Sequence, residues 1–269
     1  MLFRSMITKY NAAPANASLQ INLADMTNYT GNGANKPATG ISWNEAARFV
    51  NWLNTSTGGS AAYKFTTNGV NDNIALWSDS DTLDYDSANP YRSKRAKYVL
   101  PSYNEWYKAA YYDPTKNSGA GGYWKYGTGS DTAPTAVASG TDAGTAVYNQ
   151  PTPQGPADVN QAGGLSAYGV MGMAGNVYQW EESSFDLSNS SNSSVRGVRG
   201  GEWVNNSDSL SSSARFNNFP SGGYDIIGFR VASLSSSAPP SGEVPEPGMM
   251  LIGTVFGLGG LMAKRRMKK

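Results

Sequence analysis

Two segments of this 269-residue chain open with the same four-residue pattern, Ser-aromatic-Asn-Glu: SWNEAARFVNWLN at 42–54 and SYNEWYKAAYYDP at 102–114. Serine at the N-cap with glutamate three residues on is a capping box, in which each side chain satisfies a backbone amide that the first helical turn leaves open. Each segment is therefore predicted to start a helix. Ala46, Ala47, Phe49, Val50 and Leu53 supply an apolar stripe to the first, and Trp106, Ala109, Ala110 and Tyr111 to the second. Asp113-Pro114 stops the second helix. Glu45 and Glu105 read as structural caps rather than catalytic acids. The remaining chain reads as strand and loop. AAYKFTT (61–67), KYVLP (97–101) and GFRVASL (228–234) have strand composition, VRGVRGGEWVNN reads as a strand with a Gly-Gly bulge, and 114–165 is dense in turn residues. SSFDLSNSSNSS (183–194) reads as a surface loop. The expected fold class is α+β, one loop-rich domain with two capped helices and short strands.

Composition narrows the chemistry. The sequence contains no cysteine and no histidine. Thiolate catalysis, disulfides, Cys or His metal sites and a Ser-His-Asp triad are all excluded. Formal net charge is +1, but five of the basic residues (Lys264, Arg265, Arg266, Lys268, Lys269) crowd the last six positions. Without residues 243–269 the 21 basic and 20 acidic residues fall to 16 and 18, net −2. A body of that charge does not suit nucleic acid.

The tail VPEPGMMLIGTVFGLGGLMAKRRMKK joins a Pro-Glu-Pro triplet (Pro245, Glu246, Pro247) to a 16-residue apolar run at 248–263 and then to the basic cluster. The run falls short of the roughly 20 residues of a full span. It has no polar face, and the cluster behind it acts as a cytoplasmic stop. The tail resembles the PEP-CTERM sorting signal of exported bacterial proteins. That resemblance implies export to the cell envelope or beyond, transient inner-membrane anchoring through a short helix at 244–269, and exosortase as a partner that cleaves near Pro245–Pro247. The start, MLFRSMITKYNAAPANASLQ, lacks the apolar core and cleavage site of a signal peptide. The expectation is an N-terminally shortened domain at 1–236, a Ser/Pro linker at 237–243 and the tail.

Four segments in order, ISWNEAARFVNWLN, YVLPSYNEWYKAAYYDP, SAYGVMGMAGNVYQWEE and RGVRGGEWVNN…SSSARFNN…IIGFRVAS, resemble the formylglycine-generating, sulfatase-modifying-factor family, which includes the sulfoxide synthase domains of ergothioneine biosynthesis. The resemblance covers roughly residues 41–233 and implies a C-type-lectin-like fold. In that family two cysteines after an RGGS[WY] strand bind copper, whereas the sulfoxide synthases hold iron on three histidines. The first cysteine position falls here at Val204 and the second at Ser207 or Asp208. None is a soft ligand, so neither copper nor iron is expected. The resemblance also implies structural calcium at two places. One would use Asn149, Gln150 and Asp158. The other would use Gly172, the carbonyls of Gly175 and Val177, and Gln179, with Gly and Gln standing where side-chain ligands are usual. The alternative reading of GNVYQWEE is a packed turn that places Trp180 in the core.

The leading functional expectation is a non-catalytic binding or matrix module. Trp203, Arg215 and Arg230 are expected to line a cleft at the family's site position, suited to a polysaccharide, peptide or carboxylate ligand. The competing reading makes Trp203 core and pairs both arginines internally. A second class is enzymatic: a formylglycine-generating or nonheme-iron enzyme, or a hydrolase using carboxylates among Glu181, Glu182, Glu202 and Asp208.

Overall fold

The computed structural model describes residues 3–29 and 31–234. The linker at 237–243 and the tail with Pro245, Glu246 and Pro247 lie outside the described residues. Among the described residues three α-helices stand among short strands: α1 (Phe3–Ala12), α2 (Trp43–Thr55) and α3 (Tyr103–Tyr111). Both capping boxes form. In α2 the Glu45 amide donates to Ser42 Oγ (3.1 Å) and the Ser42 amide to Glu45 Oε2 (2.8 Å). Ser102 and Glu105 repeat the arrangement at α3. The buried residues of α3 are Trp106, Ala109, Ala110 and Tyr111, the stripe the sequence indicates.

Helix α1 corrects the two-helix expectation. No capping residue precedes Phe3, and Met6, Ile7 and Tyr10 make only a short apolar stripe. Tertiary packing carries it. Tyr10 meets Trp52 edge-on at 5.9 Å and Phe49 at 6.2 Å. Helix α2 is buried beyond its predicted stripe, including Asn44, Arg48 and Asn54, because the 67–73 segment bonds Asn44 and Arg48 and the 97–98 segment bonds Asn54. Asn54 earns its place in the core by bonding on both edges. Its amide donates to the carbonyls of Val50 and Tyr98, and its oxygen accepts from the amides of Lys97 and Tyr98.

The strands are β1 (Tyr98–Val99), β2 (Tyr112–Asp113), β3 (Gly122–Tyr123), β4 (Thr135–Ala136), β5 (Thr145–Ala146), β6 (Tyr178–Ser184), β7 (Arg196–Arg199), β8 (Phe216–Asn218), β9 (Ile227–Gly228) and β10 (Ala232–Ser233). The main sheet has the order β8-β7-β6-β9, with β6 antiparallel to β7 and parallel to β9. β1 pairs with β10. All seven residues of β6 are buried, so Ser183 and Ser184 belong to the sheet and the surface loop starts two residues later than their composition suggests. The segment 61–67 contributes only an isolated bridge, Lys64 to Ala75.

Trp43, Trp106, Trp180 and Trp203 are all fully buried. Each donates through its indole N–H. Trp43 donates to Glu181 O and Trp180 to Ile41 O, each at 2.9 Å, which ties the start of α2 to β6. Trp106 donates to Gln179 Oε1 and docks α3 on the same strand. Trp180 thus sits in the core, as the packed-turn reading of its segment holds.

Candidate functional site

Strand β6 carries the chain's densest polar chemistry. Trp180 pairs with Val198 and Ser184 with Arg196, so β6 holds two more residues than β7 between those pairs. This irregularity falls on Glu181, Glu182 and Ser183 and turns the two carboxylates to different partners. Glu181 Oε1 accepts from Arg199 Nε at 2.6 Å, and Oε2 accepts from Arg215 Nε at 2.8 Å. Both guanidinium groups also lie over the Tyr103 ring, at 4.8 and 4.9 Å. Gly197 follows from this pair, because a Cβ there would come within 2.0 Å of Glu181 Oε2. Glu182 accepts from Tyr63 Oη at 2.8 Å and from Asn89 Nδ2, with Arg92 Nε 3.7 Å away. Burial raises its pKa, against the pull of Arg92. Both acids are committed to internal networks, and no partner is shared between them.

Arg230 is likewise internal. Its Nη2 donates to the carbonyls of Met171 and Gly172, and its Nε to Gln179 Oε1. Gln179 Nε2 completes the knot by donating to Gly172 O at 2.6 Å. Burial draws the Arg230 pKa down to about 10. At the second expected calcium position, then, one carbonyl and the glutamine oxygen already hold a guanidinium cation, and no carboxylate is present. Calcium takes six to eight oxygens with carboxylate charge among them, and this donor set does not suit it. Gly175 serves the turn instead: at φ 76° a Cβ there would meet Val147 O at 2.1 Å.

At the first expected position Asn149 is exposed in left-handed backbone, φ 53°. The amides of Asn149 and Gln150 donate to the carbonyls of Asn205 and Trp203. Asp158 is paired with Lys36 Nζ at 3.2 Å. The single carboxylate of this set is therefore already paired with a cation. Among the described residues no three His, Cys, Asp or Glu side chains gather as a metal cluster.

After β7 the chain turns through Gly200 and Gly201, both with positive φ. Trp203 packs with Met26, Val147, Ala157 and Val177, and its indole donates to Thr152 O. It is core. Trp203, Arg215 and Arg230 therefore fall in three separate settings rather than along one cleft, because each satisfies its polar atoms inward. Glu202 is only 6% exposed; Oε1 accepts from Asn205, and Oε2 has no partner among the described residues. Burial and the neighbouring Asp225 push its pKa up to about 7. Asp208 lies in a 3-10 turn capped by Asn206.

A groove of about 470 Å³ opens elsewhere, between α1, α2 and the 61–77 segment. Tyr10, Arg48, Trp52, Phe65 and Trp77 line it. Sequence reading missed it because Trp52 and Phe65 come from segments read as helix and strand, and Tyr10 and Trp77 from segments assigned no element. The available signal was the aromatic density of 43–77, where Trp43, Phe49, Trp52, Tyr63, Phe65 and Trp77 exceed what one small helix can bury.

The sulfatase-modifying factor enzyme 1-like domain model matches residues 3–234. The chain belongs to that family. The fold agrees with solved structures. "Treponema denticola variable protein 1" aligns with TM-score 0.52 and 20% identity over 82% of this chain and 79% of that one. The protein named CarF aligns with TM-score 0.54 and 19% identity over 84% of this chain and 80% of that one. No curated protein matches the sequence. For this family member the copper question turns on the loop after β7. Val204 is 36% exposed, and Ser207 and Asp208 belong to the 3-10 turn. Cu(I) selects soft thiolate or thioether donors, and these three side chains do not fit it.

Proposed function

We propose that this member of the sulfatase-modifying factor family is a non-catalytic binding module on a C-type-lectin-like scaffold, exported and released from the inner membrane by exosortase at Pro245–Pro247. The carrying observation is the loop after β7, where the resemblance puts the family's two metal cysteines at Val204 and at Ser207 or Asp208, none of them a thiolate. The interior supports the same reading. Glu181 is shared between Arg199 and Arg215, and Arg230 is held by internal hydrogen bonds, so these groups act as structure. The groove beside α2 supplies a surface for a ligand.

The carboxylate-hydrolase reading has less to stand on. A pair of catalytic acids must flank a substrate bond across open space, about 5–9.5 Å apart. Glu181 and Glu182 are instead fully buried among internal donors. Metal analysis of the purified full chain tests the proposal. Substoichiometric copper and iron are expected; one tightly held copper or iron per chain overturns it.

A further inference from the structure

The groove beside α2 is built before any ligand arrives. Trp77 is fixed by its indole N–H, which donates to Ala62 O at 3.0 Å. Trp52 is braced by Phe49 at 5.7 Å and by Tyr10. Phe65 lies under the Arg48 guanidinium, with Cζ 3.8 Å from the ring centre. Trp52, Phe65 and Trp77 are each half-buried. Rings held this way lose little freedom on binding. The volume falls in the range of small-molecule sites, roughly 300–1,000 Å³.

The polar lining is lopsided. Arg48 and Lys64 line the groove, and no Asp or Glu does. Lys64 is spoken for, since Asp81 holds it with both oxygens at 2.8 and 2.9 Å. Arg48 is tied on one side only. Its Nε and Nη2 donate to the carbonyls of Val70, Thr67 and Gly69, and Nη1 has no acceptor among the described residues. Tyr10 is 1% exposed, lines the groove, and its hydroxyl also has no partner among the described residues. A buried hydroxyl with no partner is costly, and a ligand hydroxyl would relieve it. The site therefore offers flat apolar faces, one cation with a free donor and one unsatisfied hydroxyl. A ligand must bring C–H faces, hydroxyls and a single carboxylate within one short unit.

We propose that this groove binds a short acidic saccharide, with a uronate carboxylate at Arg48, a pyranose face on the ring of Trp77, and a sugar hydroxyl at Tyr10. The assignment rests on the reading of the chain as a binding module. It lies away from the family's metal positions, since Val204, Ser207 and Asp208 do not line the groove. An acidic peptide satisfies the charge but lacks the C–H face that covers the Trp77 ring.

The test titrates the purified full chain with trigalacturonate, maltotriose and triglutamate, read by calorimetry and tryptophan fluorescence. Saturable binding of trigalacturonate is expected, about tenfold or more tighter than either comparator, the contribution of one charge-assisted contact. Arg48→Gln should remove that preference. Because Arg48 also holds three carbonyls, Trp77→Ala provides a second variant, expected to weaken trigalacturonate by about tenfold. Phe219→Ala, at a side chain 64% exposed and outside the groove, should change nothing. The inference is overturned by the absence of saturable trigalacturonate binding to folded protein up to about 10 mM. Equal affinity for maltotriose, tighter triglutamate binding, or indifference to Trp77→Ala overturns it as well. Thiol-peptide oxidation measured on the same sample reports separately on the non-catalytic reading. A sample that neither oxidises thiols nor binds trigalacturonate sinks the saccharide inference alone.

Discussion

Replacing Glu181 with glutamine removes the only negative charge between two buried arginines. Arg199 is 3% and Arg215 11% exposed at the side chain, with Glu181 fully enclosed. The carboxylate accepts from Arg199 Nε (2.6 Å) and Arg215 Nε (2.8 Å), and Arg215 Nη2 stands 2.7 Å away as an ion-pair contact. Two charge-assisted bonds at about 1.5–3 kcal/mol each set an upper bound. Two effects reduce the loss: glutamine keeps one acceptor oxygen, and both arginines retain carbonyl partners, Ser212 and Ala214 for one, Ser184 and Phe185 for the other. What remains is an uncompensated buried charge, for which about 3–5 kcal/mol is the usual cost. A domain of this length loses roughly 2–4 °C of Tm per kcal/mol, so Glu181→Gln should melt about 6–20 °C lower in a circular-dichroism scan. Asp131→Asn, which breaks the pair of Lys116 with a side chain 61% exposed, should cost under about 1 kcal/mol. If Glu181→Gln melts within 2 °C of the parent chain, the two arginines are reached by water and the interior network described above is wrong.

Three further outcomes follow from the same structure. The Glu202 carboxyl has its pKa raised to about 7, against about 4.3 unfolded. Between those values the folded state binds more protons than the unfolded one, so stability should fall as pH rises through that window. Glu202→Gln should flatten the slope in urea titrations at pH 5 and 7.5, and an unchanged slope would refute the assignment. Added calcium or a chelator should leave the melting temperature unchanged within about 1 °C, because Arg230 already holds Gln179 Oε1 and Lys36 already pairs with Asp158; stabilisation by several degrees at millimolar calcium would show that a site exists. Arg196 is fully buried between Trp43 and Tyr91, at 4.3 and 3.9 Å, with Nε and Nη1 unpartnered among the described residues. Arg196→Met exchanges the ring contacts for relief of those two donors and should shift stability by under about 1 kcal/mol, or raise it; a loss above about 3 kcal/mol in chemical denaturation would contradict that balance.

What the sequence revealed was local. The capping boxes at Ser42 and Ser102 declare themselves within four residues, and Trp106 and Trp180 sit in motifs whose packing is set by their neighbours. Helix α1 was hidden because its stabilising contacts, Tyr10 with Phe49 and Trp52, lie about 40 residues away. The roles of Glu181, Glu182 and Arg230 were hidden for the same reason. Tyr63 reaches Glu182 across 119 positions, and the Arg230 bond to Gln179 spans 51. No spacing rule connects such pairs. Serine-rich composition concealed the end of β6, where Ser184 is buried and bonded to Asn189. The cleft expected at Trp203, Arg215 and Arg230 failed because aromatic and arginine residues serve interiors as readily as ligand sites. Only their partners tell the two apart.

Oxygen consumption by the purified full chain, supplied with one equivalent of Cu(I) and a cysteine-containing peptide in air, bears most directly on the proposed function. With Val204 and either Ser207 or Asp208 where the resemblance puts the two thiolates, copper should wash out on desalting and the peptide thiol should persist at the rate of a no-protein control. One retained copper per chain together with catalytic loss of the thiol would contradict the account.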